Sequence, residues 1–78
     1  MHFRMNGREW DLSRDHVVAA VRGITPGRIQ THLVVIEGIE YPIKQAFGLA
    51  TGMDVLDFTT MEARRILVGL GFITRRTR

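Results

Sequence analysis

Arg64, Arg65, Arg75, Arg76 and Arg78 all fall within MEARRILVGLGFITRRTR, residues 61–78, where Glu62 is the one acid. That stretch carries +4 while the 78 residues together carry +3, so the first sixty sum to −1. Guanidinium groups are permanently charged and present forked donors, which suits them to phosphate oxygens and to the paired acceptors of guanine. Clustered positive charge also concentrates phosphates nearby and gains from the release of their counterions. The chemistry indicated is binding of a polyanion; the competing reading is a solvated surface that keeps the chain in solution.

Other chemistries find little support. His2, His16 and His32 lie too far apart to share a metal on one helix face, and there is no cysteine, so neither a metal site nor a disulfide is expected. The eight glycines form no phosphate-cradling loop, and no nucleophile-and-base arrangement stands out. The expectation is a protein that is not an enzyme and needs no cofactor. No apolar run approaches the roughly 18 residues of a membrane span, and MHFRMNGREW lacks the apolar core of a signal peptide. A cytoplasmic location with no membrane partner is expected, in keeping with the absence of cysteine.

The elements that must position the arginines follow from patterning. Hydrophobic residues make up 45% of the chain, enough for one globular domain over 1–78 but not for two. Asn6-Gly7 predicts a tight hairpin between Phe3–Met5 and Arg8–Asp11. Ser13 can cap a helix over SRDHVVAAVRG that Gly23 stops, with Ile24 continuing its apolar contact. TPGR, residues 25–28, is a turn. QTHLVVIEGIEY then predicts two antiparallel strands about Glu37-Gly38, the first of them central because both of its faces are apolar.

Pro42 suits the first turn of a helix whose Ile43, Ala46, Phe47 and Ala50 form a buried stripe. Leu56 and Phe58 are expected to plug the core beneath the next connection. Thr59 and Glu62 have the spacing of a capping box, opening a helix from about Thr60 to Leu70 with Ala63, Ile66, Leu67 and Leu70 inward. Gly71 stops it, and Phe72-Ile73 begin a strand that ends in TRRTR. Gly48 and Gly69 fall inside helices, where glycine costs about 1 kcal/mol relative to alanine. Close helix packing is the preferred explanation for both, close approach of a ligand the other.

IEGIEYPIKQAFGLATG followed by LDFTTMEARRILVGLGF resembles the N-terminal head module of McrA-like HNH restriction endonucleases, a pattern also found in short stand-alone bacterial proteins. The shared skeleton is Tyr41-Pro42 with Lys44, an alanine-rich helix, Phe58, and a helix ending in Leu70-Gly71-Phe72. It covers about residues 34–72. Where that group is often glycine-rich after the phenylalanine, this chain has Thr59-Thr60. The resemblance implies an accessory module in a DNA context. It implies no nuclease activity, because the chain has no matching histidine and asparagine constellation.

The reading is an α+β fold in which a small antiparallel sheet packs against three helices in the order β-β-α-β-β-α-α-β, with a C-terminal half like a winged helix. The expected function is non-enzymatic binding of double-stranded DNA, with Lys44, Thr60, Arg64, Arg65, Arg75, Arg76 and Arg78 as the contacting residues. The last helix would enter the major groove while the arginine-rich strand reaches the backbone. The alternative is a protein-interaction adaptor or small regulatory subunit, with a protein partner or a second copy of the chain in place of DNA.

Overall fold

Two tight turns fold the chain back on itself, at Asn6-Gly7 (φ 54° and 74°) and at Glu37-Gly38 (φ 50° and 81°). Successive positive φ values match the turn twist to that of the flanking strands, and glycine enters this region without the Cβ clash other residues meet. The computed structural model describes residues 1–77; Arg78, expected among the contacting residues, lies outside them. The first turn joins β1 (His2–Met5) to β2 (Arg8–Asp11), and the second joins β3 (His32–Ile36) to β4 (Ile39–Pro42). Between the hairpins lies α1 (Arg14–Val21); after them come α2 (Ile43–Thr51), a 3-10 turn at Val55–Asp57, α3 (Thr60–Gly69) and β5 (Ile73–Arg76). This is the α+β order expected from the sequence.

The strands divide into two sheets. β1 and β2 pair only with each other, whereas β3 is central between β4 and β5, all antiparallel. Val34 of β3 faces Tyr41 and Thr74, and Val35 faces Glu40 and Ile73. Since strand side chains alternate, His32, Val34 and Ile36 share one face and Leu33 and Val35 the other. Val34, Ile36 and Tyr41 belong to the core cluster, so the first face is the one turned to the helices.

α2 is the hub. It packs on α1, α3, β3 and β4, and its Phe47 is fully buried, with Phe58 edge-on at 4.9 Å and Phe3 of β1 at 6.1 Å between ring centroids. Burying a side chain of this size contributes about 1.5–3 kcal/mol. Tyr41, also buried, donates its hydroxyl to the Val21 carbonyl at 3.3 Å, giving a partner to the C-terminal end of α1. Helix ends are otherwise secured locally. Ser13 accepts from His16 N–H at 3.1 Å, and Thr59 and Glu62 form the expected reciprocal box at 3.1 and 2.8 Å. A cap of this kind contributes about 1 kcal/mol.

Several expectations need correction. Leu56 is not a core plug: it is 87% exposed, because Asp54 Oδ1 accepts from Leu56 N–H at 2.8 Å and holds a tight turn that carries the side chain outward. Phe58 alone fills the space. Pro42 is the residue before α2 rather than its first turn, since it still pairs with Leu33 as the last residue of β4. Ile24 is exposed, and Leu70 only partly buried. A Cβ at Gly69 would lie 2.7 Å from Met1 Cε, and one at Gly48 would meet Met53 O and Val55 Cγ1 at 3.5 Å. Neither is the close packing of another α-helix expected from the sequence: Gly69 makes room for the Met1 side chain, and Gly48 stands at ordinary contact distance from the connection that follows α2.

Candidate functional site

Residues 24–31 contain no helix or strand, yet hydrogen bonds hold this connection at both ends. Gln45 of α2 accepts from Gly27 N–H at 2.7 Å and donates to the Thr25 carbonyl at 3.1 Å. Thr77 donates its hydroxyl to the carbonyls of Gln30 and Thr31 at 2.8 and 3.0 Å, and its backbone N–H reaches Thr31 O at 2.6 Å. The connection thus becomes one wall of a groove of about 250 Å³, opened between the starts of α2 and α3.

Arg28, His32 and Lys44 line this groove, together with Thr60. The uncharged side chains of Gln30 and Thr31 complete the wall, Pro42 and Ile43 the floor, and no carboxylate takes part. Lys44 is fixed by donation from Nζ to the Val55 carbonyl at 2.7 Å, with the ammonium 5.3 Å from the centre of the Phe58 ring. That bond uses one of three ammonium donors. Thr60 is in the first turn of α3, where unpaired backbone N–H groups favour an anion.

The remaining arginines are sorted by geometry. Thr60 and Arg64 stand one turn apart on the same flank of α3, about 40° from each other around the axis, while Arg65 is a further 100° or so round and faces away. Arg76 pairs directly with His32 across β3 and β5, so the two side chains stand together on the face turned to the helices. Arg75 pairs with Leu33 and therefore belongs to the opposite face. There its guanidinium bridges over β3 to Glu40 of β4 at 3.8 Å. Of the expected contact residues, then, Lys44 and Thr60 line the groove, Arg64 and Arg76 share a helix flank and a strand face with residues that line it, and Arg65 and Arg75 lie on other faces.

Among the described residues, Arg28, Lys44, Arg64 and Arg76 make no ion pair. Arg22 and Arg75 do, with Glu37 and Glu40 respectively. Arg28 and His32 were missed by sequence reasoning, which placed the first in a turn and the second in a half-buried strand. The only available signal was a cation directly after Pro26-Gly27, and turns of that kind commonly carry one for no reason beyond solvation.

A family model matches almost the whole of this chain, residues 5–78, from the end of the first strand through β5. The chain belongs to the SCO5918-like family. The matched span includes every residue that lines the groove. Comparison with curated proteins and with solved structures finds no match. No described helix is long and apolar enough to cross a membrane.

Proposed function

We propose that this chain is a small non-enzymatic DNA-binding protein or accessory module that holds the phosphate backbone at the groove between α2 and α3. The observation that carries the reading is the company kept by the cations. Arg28 and Lys44 line the groove, no carboxylate is among its described lining residues, and Arg76 stands beside His32 while Arg64 lies one turn from Thr60. A merely solubilising surface has no need to keep carboxylates out of such a depression. In a winged-helix docking, α3 would present its N-terminal half to the major groove, and β5, held to β3, would bring Arg76 to the neighbouring backbone. The McrA-like resemblance adds a DNA context to this reading and no chemical step.

Salt dependence tests it. Roughly four phosphate contacts on duplex DNA give a slope of log affinity against log salt of about −3 to −4. Fluorescence anisotropy with a labelled duplex between about 50 and 200 mM salt measures that slope. A protein that binds no duplex at low salt, or binds it with a flat profile, defeats the proposal.

A second reading, a protein-interaction adaptor or small regulatory subunit, draws on Leu56, 87% exposed on a braced turn, and on Ile73, 62% exposed on β5. Exposed aliphatic side chains on rigid backbone suit a protein contact. A Leu56→Ser variant that lost a captured partner while its duplex affinity stayed unchanged would favour it.

A further inference from the structure

We infer that the groove takes one unpaired nucleotide of a single-stranded nucleic acid, with its phosphate on Arg28 and Lys44 and its base against the His32 ring. This inference rests on the polyanion reading and narrows it to a ligand class. The backbone of a duplex can lay a phosphate across the rim of a depression of about 250 Å³, but its paired and stacked bases do not enter it. That volume sits just below the roughly 300–1,000 Å³ of pockets that enclose a whole small molecule, which is the scale of one nucleotide unit.

The lining also contains more than phosphate contact requires. Backbone binding asks only for cations, yet Gln30, Thr31 and Thr60 bring an amide and two hydroxyls to the same wall. None of these side chains makes a hydrogen bond within the described residues, since only the backbone carbonyls of Gln30 and Thr31 are engaged, by Thr77. They are placed to meet the edge of a base or the sugar hydroxyls. His32 supplies a half-buried ring. Single strands are recognised by this combination: stacking on an aromatic or imidazole face, hydrogen bonds to exposed base edges, and a cationic groove that tracks the backbone. Lys44 and Arg28 arrive already positioned, the first by its bond to Val55 O and the second by the Gln45 clasp on its loop, which limits the entropy lost on binding.

DNA and RNA share this chemistry, so the experiment carries an arm for each. Anisotropy is measured with labelled oligo-dT, oligo-U and a blunt duplex, on the wild type and on His32→Ala, His32→Phe, Arg28→Ala and Gln30→Ala. His32→Ala should weaken both single strands by about tenfold, the size of one lost stack, and the duplex by less than about twofold. His32→Phe, which keeps a stacking face without the imidazole nitrogens, should recover most of the loss. Arg28 and Gln30 are exposed and outside any helix or strand, so their variants report on the groove whatever His32 contributes to stability. Gln30→Ala should weaken single strands selectively, whereas Arg28→Ala, which removes a phosphate contact open to either ligand, should weaken all three probes. Tighter binding of oligo-U assigns the source to RNA through its 2′-hydroxyls, and tighter binding of oligo-dT to DNA. The inference is overturned if the His32→Ala and Gln30→Ala variants weaken single strands and duplex equally, or neither. If the duplex still binds with the steep salt slope in that case, the proposed function stands without it; if no polyanion binds at all, both fall.

Discussion

At the C-terminal end of α3 the Arg14 guanidinium lies 4.3 Å from the centre of the Phe72 ring and donates to the Leu70 carbonyl at 3.4 Å. At the N-terminal end, Arg28 and Lys44 line a groove, Arg76 stands beside the His32 of its lining and Arg64 one turn from its Thr60, and none of the four makes an ion pair among the described residues. The first end has used its arginine within the fold: a cation over an aromatic face and against the negative end of a helix. Arg8, 4.8 Å from the centre of the Trp10 ring, repeats that internal use on the first hairpin. The second end holds Lys44 against Val55 O and the Phe58 ring and caps the helix with Glu62, but leaves the exposed Arg28, Arg64 and Arg76 without a side-chain hydrogen bond or ion pair among the described residues. Residue type is the same at the two ends; what differs is whether the fold has already supplied a partner.

The contrast is broken most directly at the groove. Replacing Arg64 and Arg76 together by glutamate should lower duplex affinity on the order of 100-fold and flatten the salt slope, because two favourable phosphate contacts become repulsions. Both residues are exposed, and neither is ion-paired among the described residues, so the thermal midpoint should barely move. Anisotropy and a melting curve on the same sample separate the two effects. Retained affinity would place these arginines with the solvated charge of the rest of the surface.

The opposite signature belongs to Arg14. Arg14→Ala removes a cation–π contact and a charge at a helix C-terminus, together about 1 kcal/mol of folding stability. In a domain of this size that lowers the midpoint by about 4–8 °C. Duplex affinity should stay within about twofold of the wild type, since the proposed phosphate contacts lie at the other end of α3. A variant that melts normally but binds poorly would reverse the assignment of the two ends.

How far these roles could be read beforehand depends on how local their causes are. The hairpin turns, the Ser13 cap and the Thr59–Glu62 box act within a few residues, and the apolar stripe of α2 repeats along one helix. These were legible, and with them the order of elements. The exposure of Leu56 was not, because it depends on Phe58 having already filled the space between α2 and α3. Nor was the groove, which exists only because Gln45 and Thr77, from two other parts of the chain, clasp residues 25–31 between them. Charge along the sequence marked one stretch of arginines and could not say which of them share a face. Arg75 and Arg76 are neighbours in the chain and point to opposite sides of one strand. Their separation is set by strand alternation once β5 has taken its register on β3.

Arg75 offers the finest test of that separation. It stands on the outer face of the sheet, and the acid that engages it, Glu40, sits on a different strand across β3. The pair is 3.8 Å long, with both side chains largely in solvent, so its stabilisation is screened and should be below about 0.5 kcal/mol. Arg75→Ala is therefore expected to leave the melting curve almost unchanged. It should also leave duplex affinity within about twofold, whereas Arg76→Ala, one residue along and facing the groove, should weaken binding several-fold and reduce the salt slope by about one. The two substitutions remove the same charge from adjacent positions, so net charge cannot explain a difference between them. Equal effects would mean that the positive charge acts as a diffuse field around this end of the fold; unequal effects in the expected direction locate it on the helix-facing side, where His32, Lys44 and Thr60 meet.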